Sequence, residues 1–547
     1  MKLWIFIIFL IIIIFENIFF ENTLSKITHL FNTKSIYTPV YYVFVSAFGF
    51  LSVTLLFFIR EKLFFFLAIF LLLLTYTIEL VYKHVNSFGF TLNDLSIAIN
   101  EGDAFALDAL VSYAASIKYA LVISLMILVV ILVFRKIIVK NQMFIKTKYV
   151  LLSFLLALIL AYSITYKTTG ATQTRPTAIK TFNTIIYYLS NKLYYGERET
   201  VKEKVSLLEE HKKGNYKNII FIVDESIGGK YLSINGYEKE TTPYLKSIEK
   251  KFINLGLASS GANCSASSNL ILMSGIQLNQ LPDKENRSLK KPTIFQYAKK
   301  AGYKTHYISG QSIGLHLQNH MSQYDLKYID DLSQRKEEYS NKSMPEEDII
   351  FKTSKILKGN DKNFIFIVKH GSHFQWEGSY PKDERYFLPT LEDTDALSLE
   401  EKPKALNSYL NSIRYNVDLF FKYFLKNIDF FERDDTLIIY TSDHGQSILE
   451  KGRTSTHCDS TNPPLSQGIV PLLLFTSKED KLLKNVDFKP NHYTHYEIFP
   501  TIQKIMGYEG IKAKTLLDKV TEEDKQIFVS GDVFGRVSLQ HNDINLK

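Results

Sequence analysis

Hydrophobic positions are distributed very unevenly along this chain. The first 166 residues hold nearly every long apolar run, and the rest reads as a globular protein with short apolar runs between helical patterns. Crossing a bilayer core takes about 20 mainly apolar residues in a helix. Five stretches qualify: 3–20, 39–59, 62–83, 117–134 and 149–166. Charged loops separate them, which argues against buried core helices. The first lacks a small-residue cleavage site, and Glu16, Asn17 and Phe20 stand where one would fall. It therefore reads as a retained anchor, not a signal peptide.

Cations orient the spans. Lys2 precedes the first, Arg60 and Lys62 fall between the second and third, and Arg135, Lys136, Lys140, Lys146 and Lys148 crowd the loop between the fourth and fifth. With alternating spans these three places share the cytoplasmic side, and everything after about residue 167 lies outside. Loop 84–116 is acidic, with Asp94, Glu101, Asp103 and Asp108, and it alternates polar and apolar positions like an interfacial helix. It is read either as a lipid-headgroup contact or as a solvated face. Residues 167–217 read as a bridge containing an amphipathic segment (177–195) and a charged helix (197–215) that ends near Gly214.

From residue 218 the apolar runs are NIIFIV (218–223), FINLGL (252–257), THYISG (305–310), NFIFIV (363–368), TLIIY (436–440), VPLLLF (470–475) and QIFVSG (526–531). Such β-branched runs fit strands covered on both faces, which predicts an α/β domain with a largely parallel, doubly wound sheet. The expected organisation is a five-helix transmembrane domain (1–166), a bridge (167–217) and an outer domain (218–547).

Composition changes this picture little. The 547 residues are too many for one ordinary domain, and the net charge of +8 could indicate nucleic acid. The basic residues sit at membrane flanks and on scattered polar stretches, with no Arg-rich or aromatic-interleaved strip, so no nucleic-acid partner is expected. Two cysteines, Cys264 and Cys458, are too few for a disulfide framework and wrongly spaced for a zinc ribbon. They are either unrelated thiols or one bridge across the site formed in an oxidising compartment, since each adjoins a candidate site residue.

Ligands bind at the carboxyl ends of strands in doubly wound sheets. Asp224 and Glu225 follow the first run. Cys264 and Ser265 lie in ASSGANCSASSN after the second. His370 and His373 follow NFIFIV in KHGSH, Asp443 and His444 follow TLIIY in TSDHGQS, and His457 lies in RTSTHCD before VPLLLF. Glu225, Asp443 and His444 offer two carboxylates and an imidazole, a set that suits Zn2+ and also Mn2+. A cation there would lower the pKa of a nearby Ser265 hydroxyl, which could then attack phosphorus and divide a transfer into two displacements. His373 and His457 are placed to neutralise charge on phosphoryl oxygens. Ser267 and Ser268 compete with Ser265 as the nucleophile.

The stretch VDESIGGKYLSINGYEKETTPYL (223–245), with a Glu ahead of N-G-Y and E-T-T-P, resembles the phosphoethanolamine transferases. These membrane enzymes decorate lipid A and related envelope targets, and they include the colistin-resistance type. The resemblance covers nearly the whole chain and implies an alkaline-phosphatase/sulfatase-like fold. It implies that Glu225, not Asp224, is a metal ligand, with Asp443 and His444 as the DHG metal pair. Counting nine residues back from Ser274 places the nucleophile at Ser265, where the family usually has threonine. His373 and His457 match its substrate-side histidines, and a second metal beside them stays open.

The resemblance further implies transfer from phosphatidylethanolamine, through a phospho-serine, to an envelope glycolipid, glycan or protein. The enzyme would be a multi-pass inner-membrane protein with its catalytic domain in the periplasm. Family members commonly carry several disulfides in the outer domain, which two cysteines cannot supply. A sulfatase proper is disfavoured, because S-A-S-S-N from Ser265 lacks the Pro and Arg of a C/S-x-P-S-R site. The alternatives are a phosphoglycerol transferase of the teichoic-acid or glucan type, a membrane-anchored phosphodiesterase, and a non-enzymatic membrane scaffold.

Overall fold

A computed structural model describes the chain except residues 21–22, 35, 87–88, 93, 96–97, 100–112, 168–173, 196–201, 206–213, 215, 314–318, 336–345, 393–396, 478–480, 522–523 and 542–547. The chain forms two compact units, Met1–Glu197 and Arg198–Lys547.

The first unit contains α1 (Lys2–Phe19), α2 (Thr23–Thr33), α3 (Tyr37–Leu56), α4 (Lys62–Asn86), α5 (Ala114–Lys140), α6 (Thr147–Lys167) and α7 (Thr177–Tyr195). Among the described residues α1, α3, α4, α5 and α6 are long and apolar enough to cross a membrane, and they coincide with the five runs. The α3–α4 and α5–α6 loops meet at one end. Ile145 N donates to Phe58 O at 2.9 Å, and Arg135 donates to Ile59 O at 2.6 Å while lying 4.1 Å over the Phe65 ring. Alternating spans place both loops on one side, which this contact satisfies.

Helix α7 is not a free-standing surface segment: it packs on α4 and α6. Arg175 ahead of it pairs with Glu16 of α1 at 3.2 Å, and Lys180 pairs with Glu79 of α4 at 2.9 Å, all buried. An unpaired carboxylate in that interior would be costly, so each acid comes with its own cation. Most of the interfacial helix expected in 84–116 lies outside the described residues. So does most of the charged helix expected over 197–215. Where that helix is described, at 202–205, the chain is not helical. There Glu203 N donates to Lys290 O at 2.7 Å and Glu203 O accepts from Gln296, so the backbone pairs with neighbouring segments instead of its own turns.

The second unit is built on a sheet that, among the described residues, has eight strands: β1 (Asn218–Asp224), β2 (Ile253–Ser259), β3 (Lys304–Ile313), β4 (Asp331–Arg335), β5 (Asn363–Val368), β6 (Thr436–Ser442), β7 (Ile469–Thr476) and β8 (Tyr493–Thr494). Their order is β4-β3-β5-β1-β6-β7-β2-β8. Alternate residues face opposite ways, and each face has its own core. Ile220, Ile222, Ile365, Ile367 and Ile438 pack with Tyr409, Ile413, Phe421 and Phe424 on one side. Ile219, Phe221, Phe364, Phe366 and Ile439 pack with Phe295, Ile498 and Ile502 on the other. The unit is therefore an α/β domain with a mostly parallel, doubly wound sheet.

Two features differ from the expectation. Strand β7 runs antiparallel to both β6 and β2, so its beginning, not its end, lies at the edge where the other strands finish. The last run is not in this sheet. Residues Ile527–Gly531 (β9) pair antiparallel with Val537–His541 (β10). The free side of β2 is already taken by β8, through Ala258 and Ser259 opposite Tyr493 and Thr494. Strand β9 instead braces the segment after β2: Val529 N donates to Gly261 O, and Asn263 N to Val529 O, both at 3.1 Å.

Candidate active site

Each candidate side chain is delivered by a strand end. Strand β1 finishes at Asp224 and turns through Glu225 and Ser226, the latter with φ of 60°. After β2 the chain enters α8 (Ser265–Ser274) with Cys264 as its N-cap, so Ser265 opens the helix at its positive end. After β6 come Asp443, His444 and Gly445. A Cβ at Gly445 would lie 2.1 Å from Ser466 O, so only glycine lets this turn press against the start of β7. After β5 come Lys369, His370, Gly371, Ser372 and His373. Gly371 has φ of +54°, and a Cβ there would lie 2.2 Å from Asp224 Oδ1. His457 precedes β7 and reaches the same edge because β7 runs backwards.

Glu225, Asp443 and His444 converge: one ligand atom from each lies within 4.8 Å of the others, and all three are buried. His444 Nε2 is 3.3 Å from Glu225 Oε1 and 3.6 Å from Asp443 Oδ2. Ser265 Oγ joins them, 3.1 Å from His444 Nε2 and 3.4 Å from Glu225 Oε1. The remaining atoms are held from outside. Asp443 Oδ1 accepts from His444 N (2.7 Å) and Ser226 N (3.1 Å), and His444 Nδ1 donates to Gly445 O at 2.7 Å. That bond fixes the imidazole with Nε2 turned to the acids.

Electrostatics describe a place made for positive charge. Burial and the facing Glu225 carboxylate push Asp443 well above the usual carboxylate range. Burial also works to raise Glu225, but the hydrogen bond and charge of His444 outweigh it and hold Glu225 well below. Burial alone would push His444 down, while Asp443 and Glu225 raise it to about 9. Among the described residues no hydrogen-bond donor reaches the buried Asp443 Oδ2. Two carboxylate oxygens, an imidazole nitrogen and a hydroxyl converging around one undonated oxygen fit a divalent cation of the zinc or manganese kind.

The two remaining candidate histidines lie beside this cluster. His457 stacks on His444 with ring centroids 4.4 Å apart, and His373 lies 6.2 Å from His457. Burial, then the charge on His444, hold His457 well below its ordinary value. Cys264 and Cys458 are bonded to each other, which resolves the two readings in favour of the bridge. It joins the residue before Ser265 to the residue after His457. Among the rival serines, Ser268 is fully buried and turns its hydroxyl to His495 at 3.1 Å.

Sequence reasoning passed over Gln311 and Lys369. Gln311 Nε2 donates to Glu225 Oε2 at 2.8 Å and to Lys369 O at 2.9 Å, steadying the acid from its outer side. Lys369 Nζ lies 2.8 Å from Asp224 Oδ2, and both side chains are fully buried. The strand-end rule was a usable signal for both, since Lys369 follows NFIFIV directly and Gln311 follows THYISG.

Relatives agree with this fold. Among curated proteins, the chain is 27% identical over 332 residues to the Kdo(2)-lipid A phosphoethanolamine 7''-transferase of Escherichia coli (strain K12), covering 55% of each chain. It is 25% identical over 345 residues to phosphoethanolamine transferase EptC of Escherichia coli O18:K1:H7, covering 58% of each. The chain thus spans about half the length of the curated relatives it matches. Among solved structures, lipooligosaccharide phosphoethanolamine transferase A (EptA) from Neisseria meningitidis superposes with a TM-score of 0.61 at 17% identity, over 90% of this chain and 93% of that one. The periplasmic domain of Escherichia coli EptC in complex with Zn gives 0.52 at 19% identity, over 62% of this chain and 97% of that one. The sulfatase family model matches residues 217–508, the segment that carries the sheet and every candidate ligand, and the chain belongs to the sulfatase family.

Proposed function

We propose that this protein transfers phosphoethanolamine from phosphatidylethanolamine to an envelope acceptor such as lipid A, through a phospho-serine at Ser265. One observation carries the reading: the Ser265 hydroxyl lies at a helix N-terminus, 3.1 Å from His444 Nε2 and 3.4 Å from Glu225 Oε1, beside buried acids that need a cation. Five candidate spans and relatives named as phosphoethanolamine transferases support the membrane setting and the headgroup. The cation excess between spans supports a cytoplasmic membrane location with residues 218–547 as a periplasmic catalytic domain.

Glu225, Asp443 and His444 would hold the cation, with zinc favoured because a relative's domain was solved with Zn. When bound, the cation lowers the pKa of the Ser265 hydroxyl and offsets phosphoryl charge. Ser265 Oγ forms a bond to phosphorus while the bond to the diacylglycerol oxygen breaks, and that oxygen leaves with a proton. An acceptor hydroxyl or amine then takes the phosphorus, loses its proton, and restores the serine hydroxyl. His373 and His457, whose rings lie beside the cluster, would donate to the phosphoryl oxygens. The Cys264–Cys458 bridge holds the nucleophile's loop and the His457 loop together.

The test is expression of the full chain in a strain lacking its own transferases, with mass spectrometry of lipid A and envelope glycans. Added phosphoethanolamine that disappears in Ser265→Ala, with metal content retained, is the expected result. Added phosphoglycerol would establish the rival donor, and free ethanolamine phosphate with no modified acceptor would establish a phosphodiesterase. Full activity in Ser265→Ala would refute the phospho-serine.

A further inference from the structure

His495, directly after β8, has no part in the transfer described above, yet both of its ring nitrogens are committed in the interior. The residue is 1% exposed. Nδ1 lies 3.1 Å from Ser268 Oγ, and Nε2 lies 3.0 Å from Thr441 Oγ1.

The protons in this chain can be assigned. Thr441 has a single hydroxyl proton, and Pro471 O accepts it at 2.9 Å. The other acceptor in reach, Ser442 O at 3.4 Å, is also a carbonyl. With that proton given to Pro471 O, the shorter of the contacts, Thr441 Oγ1 accepts from His495, which puts the ring proton on Nε2. Nδ1 is left with its lone pair and accepts the Ser268 hydroxyl proton. Burial pushes the imidazole down to about 3, which keeps the ring neutral.

The two ends of this link matter for the site. Ser268 lies one turn beyond Ser265 on α8, and Thr441 lies two residues before Asp443 on β6. We propose that His495 is a positioning residue, a neutral Nε2–H imidazole that struts the nucleophile-bearing helix against the ligand-bearing strand and so sets the reach of Ser265 Oγ toward His444. This rests on the reading of Ser265 as nucleophile and of Asp443 and His444 as ligands. Space-filling alone would be met by any ring of similar size, whereas the strut needs an acceptor on one side and a donor on the other.

The full-length protein in detergent is assayed for turnover of headgroup-labelled phosphatidylethanolamine and for bound metal. The variants are His495→Phe, His495→Gln, Ser268→Ala and the His495→Phe/Ser268→Ala double. Misplacing a reacting atom by about 1 Å costs on the order of 100-fold, so His495→Phe is expected to lower kcat about 10- to 100-fold with KM and metal unchanged. His495→Gln, whose amide oxygen and NH2 reproduce both contacts, recovers most of that loss. Ser268→Ala also lowers kcat, and in the double it adds nothing, because both changes cut the same link. Ser268→Ala leaves the ring in place and carries the test should His495→Phe fail to fold.

Full turnover in His495→Phe or in Ser268→Ala, equal losses in His495→Phe and His495→Gln, additive losses in the double, or loss of metal would each overturn the strut. A wild type no more active than Ser265→Ala would instead sink the transferase reading. The strut is then judged from the ring 15N spectrum of histidine-labelled protein, where a proton on Nε2 upholds it and a proton on Nδ1 overturns it.

Discussion

Removing the ammonium of Lys369 tests how the site is held from beneath. Lys369 Nζ lies 2.8 Å from Asp224 Oδ2 with both side chains fully buried. Tyr440 donates to the same oxygen at 3.0 Å, and Glu225 N donates to Oδ1 at 3.0 Å. Asn416 O also accepts from Lys369, and the Phe420 ring lies 3.9 Å from Nζ. Burial pushes Asp224 up, and Lys369 counters it. Lys369→Met keeps the apolar stem but strands a carboxylate, and breaking a buried pair this way costs about 3–5 kcal/mol.

A unit of about 350 residues unfolds with an entropy of roughly 0.7 kcal/mol per kelvin, so Tm should fall by about 4–7 °C. Adding Asp224→Asn removes the stranded charge, so the double variant should melt above Lys369→Met alone. The assay is thermal unfolding of the four full-length proteins by near-UV circular dichroism. Lys369→Met melting with the wild type, or a double variant that loses the sum of the two single losses, would refute the reasoning.

Three further outcomes follow from the same geometry. Gln311→Leu should weaken zinc binding about 10- to 100-fold, as loss of a ligand's outer partner does, and an unchanged affinity in chelator competition would remove Gln311 from the site. Burial raises Asp418 to about 6 from 3.8, so the fold binds the extra proton and stability is lost as pH rises through about 4 to 6, a loss of about 3 kcal/mol above that window. Asp418→Asn should flatten the Tm profile there, and a profile parallel to the wild type's would count against the cause. Replacing Cys264 and Cys458 together by serine releases a link across a separation of 194 residues, worth about 5 kcal/mol in chain entropy, and should lower Tm and turnover together. Equal melting points with and without the bridge would contradict that.

Much of this organisation was legible from local pattern. The five apolar runs needed only length and flanking charge, and helices occupy them in the structure. The all-buried strands β1, β5 and β6 were readable because a strand covered on both faces must be apolar at every position. Acids, histidines and a serine just past such runs were then predictable neighbours, and Glu225, Asp443, His444 and Ser265 do meet. The charged helix over 197–215 failed where it is described, because charge pattern cannot foresee that Glu203 pairs with Lys290 and Gln296.

The sequence by itself determined which segments are buried and which residue types stand at their ends, since hydrophobic period and turn chemistry act over a few residues. Tertiary structure alone decided direction and partnership. A buried run such as VPLLLF has the same composition whether its neighbours run with it or against it, and the reversal of β7 puts its start, and the loop carrying His457 ahead of it, at the edge. The bonding of Cys264 to Cys458, the pairing of Lys369 with Asp224 and the strut from Ser268 through His495 to Thr441 join residues far apart in the chain. Their energies exist only once the sheet has set its strand order, so no local pattern records them.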